Sequence, residues 1–291
     1  MSSPRLRVRT RGLSKLLILG AMTLLVLVPF AWMISLAFTP ENDAFGSVSL
    51  IPAHPTLENF RTAWVDAVLG RALLNSGVVA IVVVICNCFV AVLAGYGFAL
   101  LPFKGSFQLF LVLVSTSAIP ASVTLIPLFL MARGIPLMGG NDLVGHGGSG
   151  ALDTLFGLML PYLVMPMNIF LARQYFLSAS PELGEAARVD GAGELRIFLS
   201  VYLPLARPLL AVVSVFAFVG VWDDFLWPLV VTNSESAQTV QLALAKFLAS
   251  GNVQYAPLMA GAVLVTIPVL TLFLVNQRAF VSGLAEGSLK G

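Results

Sequence analysis

Few residues of this chain could do chemistry, and their spacing argues against a metal site. Cys86 and Cys88 stand two positions apart in an apolar run, which puts them roughly 200° apart on a helix. Neither His54, next to Pro55, nor His146, in a glycine-rich stretch, has a second ligand at a useful spacing. We therefore expect no metal site, and we assign packing roles to both cysteines.

Two adjacent acids, Asp223 and Asp224, lie in an otherwise apolar segment between Trp222 and Trp227. Carboxylates in a membrane are costly unless they face a wet cavity or a partner. They accept hydrogen bonds from hydroxyl groups, and indole faces offer apolar stacking surface, so the four residues form a candidate substrate pathway. Alternatively the helix ends or kinks before Pro228, which leaves both acids at the outer rim and the tryptophans in the interfacial belt.

Several catalytic motifs are absent from the sequence. It contains no Gly-x-x-x-x-Gly-Lys-Ser/Thr phosphate loop, no nucleophile elbow and no His-Glu-x-x-His helix. We therefore expect no catalytic residues and no cofactor. Any ATP hydrolysis linked to this chain must take place on another polypeptide.

The composition places the chain in lipid. Hydrophobic residues make up 58% and charged residues 10%, against about a quarter charged in soluble domains, and the mean hydropathy is +0.94. A net charge of +2 is too small to indicate nucleic acid as a partner. The expected fold is all-α, because an open sheet edge cannot survive in hydrocarbon. Six apolar segments are predicted to be transmembrane helices, at about 16–38, 72–101, 107–131, 154–172, 208–231 and 257–280.

Basic residues predict the orientation of these helices. Of sixteen Lys and Arg residues, only Arg61, Arg71, Arg133 and Lys246 fall in predicted outer segments. The remaining twelve fall on the side of the N-terminus, so both termini should be cytoplasmic. This divides the chain into a basic N-terminus at 1–15, a transmembrane domain at 16–280 and a C-terminal tail at 281–291. The first apolar run is too long for a signal-peptide core, so a retained span is expected.

The cytoplasmic connection at about 173–207 contains a predicted short helix. Ser180 is a good capping residue, Pro181 suits the first helical position, and Gly191 and Gly193 end the pattern. Such a helix is too short to be stable alone and needs a groove in which to dock. An interfacial helix resting on the membrane is the alternative.

The motif in this connection resembles the EAA loop of ABC importer permeases. It comprises Glu185-Ala186-Ala187, then Gly191, then Val201-Tyr202-Leu203-Pro204, where the family usually has Ile-x-Leu-Pro. The resemblance implies a coupling helix that fits a cleft on an ATP-hydrolysing subunit. The residues that would carry the coupling are Glu185, Ala186, Ala187, Asp190 and Gly191.

Further stretches resemble the carbohydrate-importing, maltose-type branch of these permeases. They are Leu74-Asn75-Ser76, Gly95-Tyr96-Gly97-Phe98-Ala99, Ile126-Pro127-Leu128-Phe129 and Trp222 to Leu229. In the last stretch the family usually has Asn at the position of Asp223, which favours Asp223 over Asp224 as the pathway residue.

The resemblance also implies partners. They are two ABC ATPase subunits, a second permease that is a different chain or a second copy, an extracytoplasmic solute-binding protein and a sugar. Glycerol phosphate as the solute, or a secondary transporter, are the alternatives. The second is weakened because five of the six segments lack an acid in their interior.

Overall fold

A computed structural model describes residues 4–44, 46, 50–101, 103–249 and 253–288. Within these ranges the regular structure is helical and no strand occurs. The α-helices, in chain order, are α1 Pro4–Ala37, α2 Glu58–Asp66, α3 Leu69–Leu100, α4 Ser106–Ser115, α5 Ala121–Arg133, α6 Leu155–Met159, α7 Pro166–Ser178, α8 Pro181–Val189, α9 Glu194–Ile197, α10 Leu203–Leu205, α11 Arg207–Trp222, α12 Leu226–Val231, α13 Val240–Ala249 and α14 Tyr255–Ser288. Phe198–Tyr202, between α9 and α10, is a π-helical turn. The all-α prediction is confirmed.

Three helices are long and apolar enough to cross a membrane unbroken. They are Lys15–Ala37 of α1, Leu69–Leu100 of α3 and Tyr255–Gln277 of α14. Three further candidate spans in the described ranges are bent pairs: Ser106–Ala118 with Ala121–Arg133, Leu155–Tyr162 with Pro166–Ser178, and Glu194–Leu205 with Arg207–Trp222. Six spans result if each pair crosses once. This number agrees with the six apolar segments predicted from the sequence, and three of the six spans are bent within the described ranges.

Prolines account for the breaks in the bent pairs. Pro120 lacks an N–H donor and holds Ile119 in an extended conformation, and the two halves there meet at 102°. Pro166 and Pro208 stand in the first turns of α7 and α11, where the missing donor costs nothing. The bends at these two places are 46° and 75°.

The first of two compact units comprises residues up to Leu69 together with Leu244–Thr266. Its loops are fastened by side chains. The buried amide of Asn59 donates to the carbonyls of Ala37 and Thr39, at 2.9 and 2.7 Å. The carboxylate of Glu41 accepts from the N–H groups of Tyr255 and Ala256 at 3.0 and 2.7 Å, which caps the free donors at the start of α14.

The second unit comprises Gly70–Ala243 together with the chain from Ile267 onwards. It contains two clusters of buried apolar side chains. One is formed mainly by the later half of α3, α7 and the segment from Ile197 to Val213, and includes Tyr96, Ile169, Phe176, Phe198 and Tyr202. The other includes Val79, Val83, Leu158, Ala217 and Trp227.

A buried amide from α3 closes the break between α6 and α7. Asn87, 2% exposed, accepts from the N–H of Met165 at 3.0 Å and from the amide of Asn168 at 3.1 Å. It donates to the carbonyls of Tyr162 and Val83, at 2.6 and 3.0 Å. Backbone groups freed by the break thus find partners inside the protein, as the apolar surroundings require.

The glycine loop, residues 134–154, is folded and not extended. Asn141 donates to the carbonyls of Arg133 and Ile135 and accepts from the N–H of Gly148. Gly145 has a φ of +87°, and a Cβ there would lie 2.1 Å from the carbonyl oxygen of Gly134, so glycine is required on both conformational and steric grounds.

Candidate functional site

Helix α8 has the bounds that the sequence predicts, but it begins differently. Pro181 occupies the first turn as expected, whereas the side chain of Ser180 makes no capping hydrogen bond. The helix ends at Gly191, whose φ of +80° lets the N–H of Ala192 reach the carbonyl of Ala187 at 3.0 Å. Gly193 has an ordinary φ of −73° and precedes α9, so Gly191 alone provides the left-handed turn.

The two sides of α8 differ in exposure. Glu185, Ala186 and Asp190 are exposed, as is Val189, whose side chain is 87% accessible. We call these four residues, together with Gly191, the coupling surface. Ala187 is half-buried and packs against the cluster that contains Tyr96. Of the five predicted coupling residues, four are therefore exposed and Ala187 turns inward.

A glycine allows the buried side of α8 to approach the core closely. Gly184 is buried, and a Cβ built on it would lie 2.8 Å from the hydroxyl of Tyr202. Tyr202 is in turn surrounded by aromatic rings, since its ring centroid lies 5.4 Å from that of Tyr96 and 6.2 Å from that of Phe176. A short helix that cannot persist alone is thus held against a rigid aromatic cluster.

An ion pair spans the turn after α8. Arg188 Nε donates to Glu194 Oε1 at 2.6 Å, and a second guanidinium nitrogen donates to Oε2 at 3.2 Å. The hydroxyl of Tyr96, on α3, donates to the same Oε2 at 3.3 Å. The pairing of Arg188 with Glu194 was not predictable from the sequence, because residues that contact each other on one helix are three or four positions apart and these two are six apart.

The second predicted site separates into buried and exposed residues. Trp222, 3% exposed, stacks on Phe218 with ring centroids 4.9 Å apart. Trp227, 4% exposed, donates its indole N–H to the carbonyl of Gly157 at 3.0 Å. Both indoles are therefore buried in the protein.

The two acids of this site also differ. Asp224 accepts from the hydroxyl of Tyr162 at 2.6 Å and from the N–H of Leu226 at 3.2 Å. Asp223 follows the last residue of α11 and is exposed. The helix therefore ends before Pro228, as the alternative interpretation expected. Substrate contact stays a prediction, and Asp223 is the member of the group that is open to a ligand.

The polar side chains that fasten this region were missed by the sequence analysis. Tyr162 holds Asp224, Asn87 closes the break beside it, and Gln241 donates to the carbonyl of Trp222 at 3.2 Å. An asparagine inside a strongly apolar run is a signal that could have identified Asn87. Among the described residues, no group of three or more His, Cys, Asp or Glu side chains could hold a metal ion.

Residues 89–286 match the family model described as the inner membrane component of binding-protein-dependent transport systems. The chain belongs to this family. The matched range includes α8 with its exposed surface and all four residues of the Trp222–Trp227 group, so both candidate sites lie within the matched residues. The chain is therefore a membrane-embedded subunit of a transport system.

Relatives and a solved structure agree with the family. The arabinooligosaccharides transport system permease protein AraQ of Halalkalibacterium halodurans is 32% identical over 90% of this chain and 91% of its own length. The diacetylchitobiose uptake system permease protein NgcG of Streptomyces coelicolor is 29% identical over 92% of this chain and 85% of its own length. A chain from the crystal structure of a bacterial ABC transporter involved in the import of alginate superposes with a TM-score of 0.75. That chain is 24% identical, and the match covers 96% of this chain and 98% of that one, which establishes the same fold.

Proposed function

We propose that this chain is the permease subunit of an ATP-driven importer, and that an ATP-hydrolysing subunit acts on it through the coupling surface. The observation that carries the proposal is the exposure of Glu185, Ala186 and Val189 on a helix whose other side packs, through Gly184, on Tyr202. The exposed Val189, with Glu185 one turn before it and Asp190 after it, offers an apolar contact beside carboxylates to a cleft on the partner.

The family to which the chain belongs supports the partners that we propose. Two ATPase subunits lie beneath a pair of permeases, the second being a different chain, and a solute-binding protein delivers the ligand. Closure of the motor moves the coupling helices, and the permease helices exchange an inward-open for an outward-open cavity. The membrane is a bacterial inner membrane.

The orientation we propose has both termini and α8 in the cytoplasm, because the basic residues lie mainly on that side. Single cysteines at Ser149, Ser178 and Ser236, in a background lacking Cys86 and Cys88, can be labelled in intact cells with an impermeant thiol reagent. Ser149 and Ser236 should react and Ser178 should not. Reaction at Ser178 would place α8 on the wrong side for an ATPase.

The solute we propose is a sugar. Both relatives compared above have names that specify carbohydrates, diacetylchitobiose and arabinooligosaccharides, and no feature of the chain favours glycerol phosphate. The exposed carboxylate of Asp223 can accept hydrogen bonds from sugar hydroxyls. The buried tryptophans beside it then serve to hold the end of α11 in place. A ligand screen of the solute-binding protein that co-purifies with the transporter identifies the sugar.

Two glycines of the same loop provide the test of coupling. A leucine at Gly191, where φ is +80°, costs roughly 1–2 kcal/mol of backbone strain and should distort the coupling surface. Gly193, with a φ of −73° and nothing within 4 Å of a built Cβ, accepts a side chain without strain. Gly191→Leu should therefore leave insertion intact but uncouple ATP hydrolysis from transport, and Gly193→Leu should not.

A cross-link locates the partner directly. In the assembled transporter a cysteine at Ala186 should cross-link to the ATPase subunit. Normal transport by Gly191→Leu, together with no cross-link from any position in Glu182–Asp190, would refute the proposal.

A further inference from the structure

Glu194 is the point where three segments of the chain meet. Its Oε1 is held by Arg188 of α8 at 2.6 Å, and its Oε2 is held by Tyr96 of α3 at 3.3 Å. Glu194 itself begins α9. One carboxylate thus joins the helix that carries the coupling surface to a helix long enough to cross the membrane.

Tyr96 is placed so that its movement must be shared by its neighbours. Its side chain is 4% exposed, and its ring centroid lies 5.7 Å from that of Phe176 on α7 and 5.0 Å from that of Phe198 in the π-helical turn. Side chains in such a cluster have few alternative positions, because interiors are close-packed. A displacement passed to the Tyr96 hydroxyl is therefore passed on to α7 and to the π turn.

Stability does not explain the Arg188–Glu194 pair. Both side chains are nearly half exposed, at 43% and 47%, and exposed ion pairs contribute little to folding. The two contacts of Glu194 also differ in strength. The bond to Arg188 is short and doubled, whereas 3.3 Å is beyond the usual 2.5–3.0 Å for O–H···O hydrogen bonds. The carboxylate is thus firmly held on the α8 side and weakly held on the α3 side.

We propose that Glu194 is a latch between the coupling helix and the membrane helices, closed on Tyr96 in this conformation and carried away with Arg188 when α8 moves. The inference rests on the proposed function, since it presupposes that an ATPase moves α8. Tyr96 and Glu194 are then positioning residues, which act through α3 and not on the solute. The π-helical turn beside them fits this role, because single π turns within helices are frequent at functional sites.

The test follows the motion of α3 without needing the solute. Gly97 is adjacent to Tyr96, and a Cβ built there meets nothing within 4 Å, so a cysteine fits. In the assembled transporter lacking Cys86 and Cys88, the labelling rate of Gly97→Cys by N-ethylmaleimide is measured with and without ATP and vanadate. Tyr96→Phe and Glu194→Gln should each reduce the ATP-dependent change in this rate by about threefold or more, the loss expected for one weak hydrogen bond.

Tyr175→Phe is the matched control. It also deletes one phenolic hydroxyl on this side of the second unit, but that hydroxyl donates to the carbonyl of Leu205 at 2.6 Å. Its ATP response should equal that of the parent. A merely structural role for Tyr96 would lower the yield of assembled complex and leave the ATP response of the assembled fraction unchanged, which would overturn the proposal.

The cross-link at Ala186 distinguishes a failure of the latch from a failure of the proposed function. If Ala186→Cys cross-links to the ATPase but Tyr96→Phe responds to ATP like the parent, the latch is wrong and the coupling surface stands. The same conclusion follows if the parent itself shows no ATP response at Gly97→Cys. If the cross-link is absent, the proposed function fails, and the latch fails with it.

Discussion

Gly184 lets two opposing effects be measured at one position. A methyl group there lies 2.8 Å from the hydroxyl of Tyr202 and 3.4 Å from a carbon of the same ring. The first distance requires the buried tyrosine to shift, at a cost of about 1–3 kcal/mol for overpacking. Alanine in the middle of a helix is, however, better than glycine by roughly 0.5–1 kcal/mol. Gly184→Ala should therefore destabilise the wild type by about 1 kcal/mol.

The sign should reverse when the hydroxyl is removed. In a Tyr202→Phe background the nearest remaining ring contact is the ordinary 3.4 Å, so only the helix-propensity gain is left. Gly184→Ala should then stabilise by roughly 0.5–1 kcal/mol. The interaction free energy between the two changes, obtained from a double-mutant cycle, should be about 1–3 kcal/mol.

The free energy of unfolding can be measured by titrating the purified permease in mixed micelles with a denaturing detergent. Gly193→Ala, with open space around its built Cβ, is the control, and its effect should be the same with Tyr202 or Phe at position 202. If the effects of Gly184→Ala and Tyr202→Phe simply add, the close approach of α8 to the core is not what holds the coupling helix.

Four further substitutions test other parts of the chain. Asp223→Asn should alter the apparent affinity for the transported sugar without affecting assembly, and wild-type uptake by this variant would exclude Asp223 from the pathway. Asp224→Ala removes the acceptor of the Tyr162 hydroxyl and should destabilise the permease by roughly 1–2 kcal/mol. Uptake assays report the first effect and thermal unfolding reports the second. Asn87→Leu leaves a broken backbone without partners in apolar surroundings and should cost about 2–4 kcal/mol in detergent unfolding; an unchanged unfolding free energy would contradict the bridging role. Backbone N–H groups in the glycine loop, first that of His146, donate to Asp142 and lower its pKa. These hydrogen bonds stabilise the loop above the ordinary pKa of an aspartate, and the stabilisation is lost as the pH falls through the lowered pKa. Pepsin cleavage of the loop should therefore rise below about pH 4 in the parent and lose that dependence in Asp142→Asn.

Helix α8 was predictable because its signals are local. Pro181 sets the first turn, Gly191 takes the left-handed turn, and the intervening pattern fits one short helix, so the predicted and observed bounds agree. The helix-like stretch from Val240 to Ala249 was predictable for the same reason. Its polar start and apolar body stand out between two loops.

The bent spans were not predictable from hydropathy. An apolar run of twenty residues looks the same whether it is straight or folded at Pro120, because proline is tolerated in membrane helices when neighbours satisfy the freed backbone. The packing of the tryptophans was not predictable for a similar reason. The ring of Trp222 stacks on Phe218, a contact fixed by tertiary structure, and its contact with a solute stays a prediction.

The helix ends do not coincide with the predicted domain bounds, which stay a prediction. Helix α1 begins at Pro4, within the segment predicted as a basic N-terminus, and α14 continues to Ser288 through most of the predicted C-terminal tail. Residues 289–291 lie outside the described ranges. Charge alone marks where a helix leaves the hydrocarbon, and it does not mark where the helix ends.

The amide of Asn87 has a consequence for how the chain is made. The α6–α7 pair reaches the membrane during synthesis with a break whose donors and acceptors have no partners of their own, and the groups that satisfy them belong to α3, made about 75 residues earlier. Insertion of this bent pair is therefore dependent on a span already in place, whereas α1 and α3 are each one continuous helix. When ribosome-bound chains are truncated after α7, the Asn87→Leu variant should stay in contact with the insertion machinery for longer than the parent. A single side chain would then set the order in which the spans are inserted.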